Sequence, residues 1–293
     1  MTRAALLAIL AALAGPEAVA DPIATAALAL DYDDNIANAA GGRDLVDDVS
    51  FGARAAAGWR WMLGDRSDLS AVAQLDGARQ ARYTGLDRLE TGGTITLHTK
   101  LGLGGDAPWL KISGGGGWCD VAFAPRDVWY WRAGAALGTR FGERLDVALA
   151  FDYEGRAAGH DVDVPFLVRR FGLRGDAYDT QAKSLGLSAV YALTERLSLV
   201  AGYTRRAGDV VSTVHIDREV FEASSAITPD PTFGPGRFAY RLGADSNVYD
   251  LTFSLALGAH LALDLGYRHQ DSEAYEELAY HNEMLRLALV YAY

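Results

Sequence analysis

The feature that most constrains this chain is a period of two. Over stretches of ten to fourteen residues, large apolar side chains alternate with small, polar or charged ones, the pattern of a strand with two unlike faces. At the C-terminus, Leu285, Leu287, Leu289, Tyr291 and Tyr293 share one face, and Met284, Arg286, Ala288, Val290 and Ala292 the other. Leu145, Val147, Leu149, Phe151 and Tyr153 stand likewise against Asp146, Ala148, Ala150, Asp152 and Glu154. The alternation predicts twelve strands, at residues 23–34, 48–63, 68–83, 89–103, 109–123, 127–141, 145–158, 180–193, 197–210, 246–258, 261–273 and 279–293. Strands of soluble sandwiches usually run to about 5–6 residues. A tilted strand crossing a bilayer needs about 9–11. Hydrocarbon offers the backbone no hydrogen-bond partner, so a sheet within it must close on itself, oily face outward and polar face inward.

The connections give a second signal. Gly64–Ser67, Gly104–Pro108, Gly142–Arg144, Thr194–Arg196 and Ala259–His260 are short and turn-like, and each follows an even-numbered strand. The others vary in length, up to 159–179 and 211–245. Short turns at one end and longer loops at the other are the habit of an outer-membrane barrel. An even strand count puts both termini at the short-turn, periplasmic end. Aromatic residues gather near strand ends, as membrane interfaces favour. Trp59, Trp61, Trp109, Phe141, Tyr191, Tyr291 and Tyr293 fall at the short-turn end, and Tyr32, Trp129, Trp131, Tyr153, Tyr203, Tyr249 and Tyr267 nearer the long loops.

The first twenty residues read as a secretory signal peptide: Arg3, an apolar run Ala4–Ala14, the break Gly15-Pro16, and Ala18-Val19-Ala20 as the cleavage site. The run is too short for a spanning helix. Sec-type export of one barrel domain, residues 21–293, is expected. The formal charge of −11 argues against a general nucleic-acid partner. A single cysteine, Cys119, excludes an internal disulfide framework and a cysteine-based zinc finger. No HExxH, phosphate loop or metal-ligand cluster occurs, so neither metal nor cofactor is expected.

Taken together, the leader, the alternation and the ending Leu285-x-Leu287-x-Leu289-x-Tyr291-x-Tyr293 resemble the Gram-negative outer-membrane β-barrel proteins. The resemblance spans the mature chain and implies an all-β transmembrane antiparallel barrel of about twelve strands. It also implies that Leu289, Tyr291 and Tyr293 form the signal read by the barrel-assembly machinery, and that outer-membrane lipid and lipopolysaccharide surround the wall. It specifies no function.

The alternation turns many charges inward. Arg54, Arg60, Arg82, Lys100, Lys111, Arg132, Arg268 and Arg286 face Asp152, Asp250, Asp264 and their neighbours across a lumen. Such charges require pairing or water. They read either as a bracing salt-bridge network or as a selective eyelet. Arg54, Arg60, Arg82, Lys100 and Lys111 form the most basic sector, suited to a small anion. A narrow channel or uptake pore for small polar or anionic solutes is therefore the leading expectation. The 211–245 loop, with Pro229, Pro231, Pro235, Phe233, Phe238 and Tyr240, is long enough to fold over the mouth as a lid. Two alternatives remain. One is a lipid-modifying hydrolase at the outer rim, where His269, Ser272 and His281 approach one another in sequence. The other is a structural or surface-interaction barrel accessory to polysaccharide export or adhesion. Acidic loop clusters at Asp44, Asp47 and Asp48, at Asp161 and Asp163, and at Glu276 and Glu277 suit divalent cations that bridge lipopolysaccharide, or plain solvation.

Overall fold

The computed structural model describes residues 20–160, 176–274 and 278–293. The signal-peptide reading falls on residues outside these, apart from Ala20. So do Asp161, Asp163, Glu276 and Glu277. Among the described residues no helix is long and apolar enough to cross a membrane. The wall is strand: β1 Ala20–Asp33, β2 Asp48–Met62, β3 Ser67–Gln80, β4 Arg88–Lys100, β5 Trp109–Val121, β6 Val128–Phe141, β7 Leu145–Ala158, β8 Thr180–Ala192 and β9 Leu197–His215. A six-residue helix α1, Arg218–Ala223, and a short strand β10, Ala226–Pro229, precede β11 Arg237–Ala256, β12 Leu261–Ala274 and β13 Ala279–Ala292.

Every neighbouring pair is antiparallel, and β1 pairs with β13 to shut the ring, placing Leu28 beside Leu289, Leu30 beside Leu287 and Asp31 beside Arg286. β9 pairs directly with β11, so twelve strands make the wall and β10 stands outside the count, on the edge of β11 above the end of β12.

The two faces are inverted relative to a soluble protein. Ile95, Leu137, Leu149, Phe151, Leu185, Leu187, Leu265 and Leu285 are each about half exposed on the outside. No aqueous fold leaves so continuous an apolar belt uncovered. Aromatic residues border it: Trp59 and Tyr291 toward the short turns, Trp129, Trp131, Tyr153, Tyr203, Tyr249 and Tyr267 toward the long loops. Trp109 corrects the sequence reading. It shares the strand face of Lys111 and points inward, its ring 5.7 Å from that of His98 and its edge lying over Gly138.

Glycines give the inner wall its floor. Tyr130 lies flat across β5 and β4, its hydroxyl 3.2 Å from Gln74 Nε2 on β3. A Cβ added at Gly117 would stand 2.7 Å from that hydroxyl and 2.6 Å from the Gly92 Cα. Because part of that clash is with backbone, Gly117→Ala is expected to separate β4 from β5 locally and cost roughly 1–3 kcal/mol. A lower unfolding midpoint of the detergent-refolded barrel in urea is the measurement.

Candidate functional site: the lumen and its lid

Inward-facing arginines meet carboxylates on neighbouring or next-neighbouring strands. Arg54 Nε lies 2.6 Å from Asp76, Arg268 Nε 2.6 Å from Asp250, and Arg140 binds Asp146 through two nitrogens at 3.0 and 2.9 Å. Arg206 reaches Glu154 across β8 at 3.0 Å, and Arg286 reaches Asp31 over the closing seam at 3.5 Å. Arg132 reaches Glu90 at 3.6 Å, over the bare backbone of Gly115 on β5. Arg60 approaches Asp68 at 3.8 Å, which also receives His98 at 3.1 Å. Asp152 leans over Gly134.

These pairs are wet. The side chains of Arg54, Arg132 and Arg286 are 58%, 55% and 50% exposed although they point into the barrel. Solvated pairs contribute little stability, about 0–1 kcal/mol each. Their effect is to keep a charged wall hydrated at membrane depth.

The predicted basic sector is therefore mostly neutralised, since Arg54 and Arg60 face acids. Lys100 and Lys111 stay on the inner face. Arg82 does not line the lumen. β3 ends at Gln80, and Arg82 lies in the following loop, 3.1 Å from Asp47 at the mouth. Asp48 accepts backbone N–H groups of Arg82 and Tyr83, and Asp44 receives His215 at 2.6 Å and Arg237 at 3.3 Å. These three aspartates are thus occupied within the protein.

The rim residues do not form a nucleophile–base pair. Strand alternation puts His269, Asp271 and His281 on the outer face and Ser272 on the inner one. His269 and His281 both contact Asp271, at 3.0 and 2.7 Å. Ser272 is buried against Ser246, hydroxyl to hydroxyl at 2.8 Å. The structure does not bring its hydroxyl to either histidine, and a base outside hydrogen-bond reach does not activate a nucleophile.

The long loop does what its length suggested, by a route the sequence did not show. β9 and β11 run on past the other strands, paired through Arg237 and His215. This extension is buried on both faces: Ser212, Thr213, Val214, Ala239, Tyr240 and Leu242 are almost inaccessible. It leans across the mouth. Thr213 N–H donates to the Ala37 carbonyl in the β1–β2 loop, and Phe233 packs on Tyr83 in the β3–β4 loop with ring centroids 5.0 Å apart. That loop is half-way round the ring from the β9–β11 hairpin, so the contact spans the opening. Ile227, Tyr240 and Leu242 pack with Val214, Leu278 and Tyr280 in an apolar core at the β12–β13 side. Each such side chain contributes roughly 1.5–3 kcal/mol on full burial.

A polar latch lies under the lid. Asp230, fully buried, accepts Arg126 Nε at 3.0 Å, from the β5–β6 loop. It also accepts the Tyr178 hydroxyl at 2.8 Å, from the β7–β8 loop. Arg126 lies over the Tyr178 and Phe233 rings. Burial alone would raise the Asp230 carboxyl, but the Arg126 charge and the Thr232 and Tyr178 donors outweigh it and hold it below the usual carboxylate range. Burial pushes the Tyr178 phenol up, so it remains a donor.

Beneath the lid lies a chamber of about 580 Å³, walled by almost every strand and roofed by Val211, Thr213, Arg126 and Tyr178. Arg88, Arg126, Asp230 and Tyr178 were not singled out from the sequence. Arg88 lies one residue before the predicted start of its strand and continues the Arg88-x-Glu90 alternation.

No protein-family model and no curated protein matches the chain. Solved structures do. The chain is similar to the COG4313 outer membrane channel from Pseudomonas putida F1, at 14% identity and a TM-score of 0.56 over 94% of this chain and 96% of that one. Looser likenesses reach the DcaP outer membrane channel of Acinetobacter baumannii, at 8% identity and a TM-score of 0.45 over 96% and 99% of the two chains. Another is the KdgM porin in complex with oligogalacturonate, at 8% and 0.42 over 92% and 99%. At these identities the likeness is one of fold: the chain is a closed twelve-stranded antiparallel β-barrel of the kind found in Gram-negative outer membranes.

Proposed function

We propose that this protein is an outer-membrane conduit for small polar solutes, closed at its outer mouth by the β9–β11 hairpin. The observation that carries the reading is the hydration of the inner wall: arginines aimed into the barrel are half accessible. A barrel serving as a scaffold fills its interior with packed side chains, as small eight-stranded barrels do. Twelve strands leave a slim bore, and the ladder of paired charges makes it polar along its length. The lid gives a reason for a resting state that does not leak.

On this reading the short turns face the periplasm, the leader directs Sec-type export, and Leu289, Tyr291 and Tyr293 present the assembly signal. Lipid and lipopolysaccharide contact the belt and its aromatic borders. Planar-bilayer recording of the refolded chain is the test. Discrete ion currents are expected, at low open probability. A protein inserted in the bilayer that passes no current, even with residues 216–236 removed, defeats the proposal.

A further inference from the structure

We propose that the chamber beneath the lid is a binding site for a small solute carrying a carboxylate or phosphate group, held by Arg88, Arg156 and the free edge of Arg126. The chamber's place on a transport path rests on the conduit reading; the binding itself does not.

The argument is one of arginines left without a carboxylate partner. Of the four carboxylates lining the chamber, two are paired with arginines and two accept neutral donors, and none of the four pairs with Arg88 or Arg156. Asp31 is taken by Arg286 and Glu154 by Arg206. Asp33 is held by the Asn35 N–H and the Asn282 amide, and Asp209 by the Gln181 N–H. Arg88 and Arg156 line the same space, and neither has an ion-pair partner among the described residues. Arg126 gives Nε and Nη2 to Asp230, which leaves Nη1 free at the chamber roof.

Arg88 opens β4 and Arg156 lies near the mouth end of β7, three interstrand steps apart, about 14 Å along the wall. Between them stand Cys119, Val121 and Val128, and Glu90, level with Cys119 on the inner face, is directed to Arg132 at 3.6 Å. Both side chains are exposed to lumen water, so an incoming oxyanion meets guanidinium groups that have no carboxylate partner, and the planar fork of arginine suits carboxylate and phosphate. The volume lies within the usual range for small-molecule sites, roughly 300–1,000 Å³.

Calorimetric titration of the refolded full chain in detergent at low salt tests the site, with inorganic phosphate and citrate as probes. At least one probe is expected to bind, and the double variant Arg88→Gln/Arg156→Gln to weaken it about tenfold or more. Arg156→Gln alone, which disturbs the wall less, is expected to give an intermediate loss. Arg66→Gln in a short turn is expected to leave binding unchanged. Absence of binding to the natural chain, or equal binding by the double variant with a native heat-modifiable gel shift, overturns the site. Currents from the same preparation separate the two claims. Conduction without binding removes the site alone, and binding without conduction removes the conduit alone.

Discussion

Asp230→Ala is expected to open the channel. The substitution strips Arg126 of its buried carboxylate and Tyr178 of its acceptor, so the closed lid retains an uncompensated guanidinium. Breaking a buried ion pair costs about 3–5 kcal/mol. Arg126 keeps access to chamber water, so about 2–3 kcal/mol is the better expectation, or roughly a thirty- to hundred-and-fiftyfold shift toward open lids. Open probability in planar bilayers reads it directly. The sign of the pH dependence follows from the depressed Asp230 carboxyl. Such a group favours closure above its open-lid pKa, and that contribution fades as pH falls through the closed-lid value. The difference between the natural chain and Asp230→Asn should hold from about pH 7 to about pH 5 and fade below about pH 4.

The second large effect tests the inversion of faces. Leu187 lies midway along β8, about half exposed on the outer surface, and Ser188 is next to it on the inner one. Leu187→Arg is expected to destabilise the barrel in lipid vesicles by about 2–4 kcal/mol, the depth-dependent penalty of a cation in hydrocarbon. Ser188→Arg is expected to change stability by less than about 1 kcal/mol, because its charge enters a hydrated lumen. Equal effects at the two positions would mean that the faces are not distinct. Urea unfolding in vesicles decides.

The wall was legible because a barrel in lipid keeps one face oily and one polar along every strand. All twelve predicted ranges overlap the observed wall strands. Errors appear where that contrast fails. Beyond Val210 the hairpin is buried on both sides, so Ser212-Thr213-Val214 and Phe238-Ala239-Tyr240 lose the alternation that marks a half-wet strand. With Pro229, Pro231 and Pro235 between them, the stretch reads as loop. Arg82 was drawn into the lumen by extending β3 three residues too far, and Arg88 was left out by starting β4 one residue late. Trp109 was readable: it has the parity of Lys111, and its place at a strand end outweighed that signal. Asp230 was not readable. It is one acid among several in a loop, and its partners on the β5–β6 and β7–β8 loops lie 104 and 52 residues away in sequence.

The central claim is that the β9–β11 hairpin lies across the mouth of a wet bore and must move for solute to pass. Gly85 in the β3–β4 loop meets Thr232 of the hairpin rooted across the mouth, and a Cβ built at Gly85 lies 3.5 Å from the Thr232 Cβ, within the range of a disulfide. Single-channel recording of Gly85→Cys/Thr232→Cys in a Cys119→Ala background, oxidised and then reduced, is the most direct test. The oxidised protein should be silent and the reduced protein should gate and conduct. An oxidised form that conducts like the reduced one, or a reduced form that never conducts, contradicts the account.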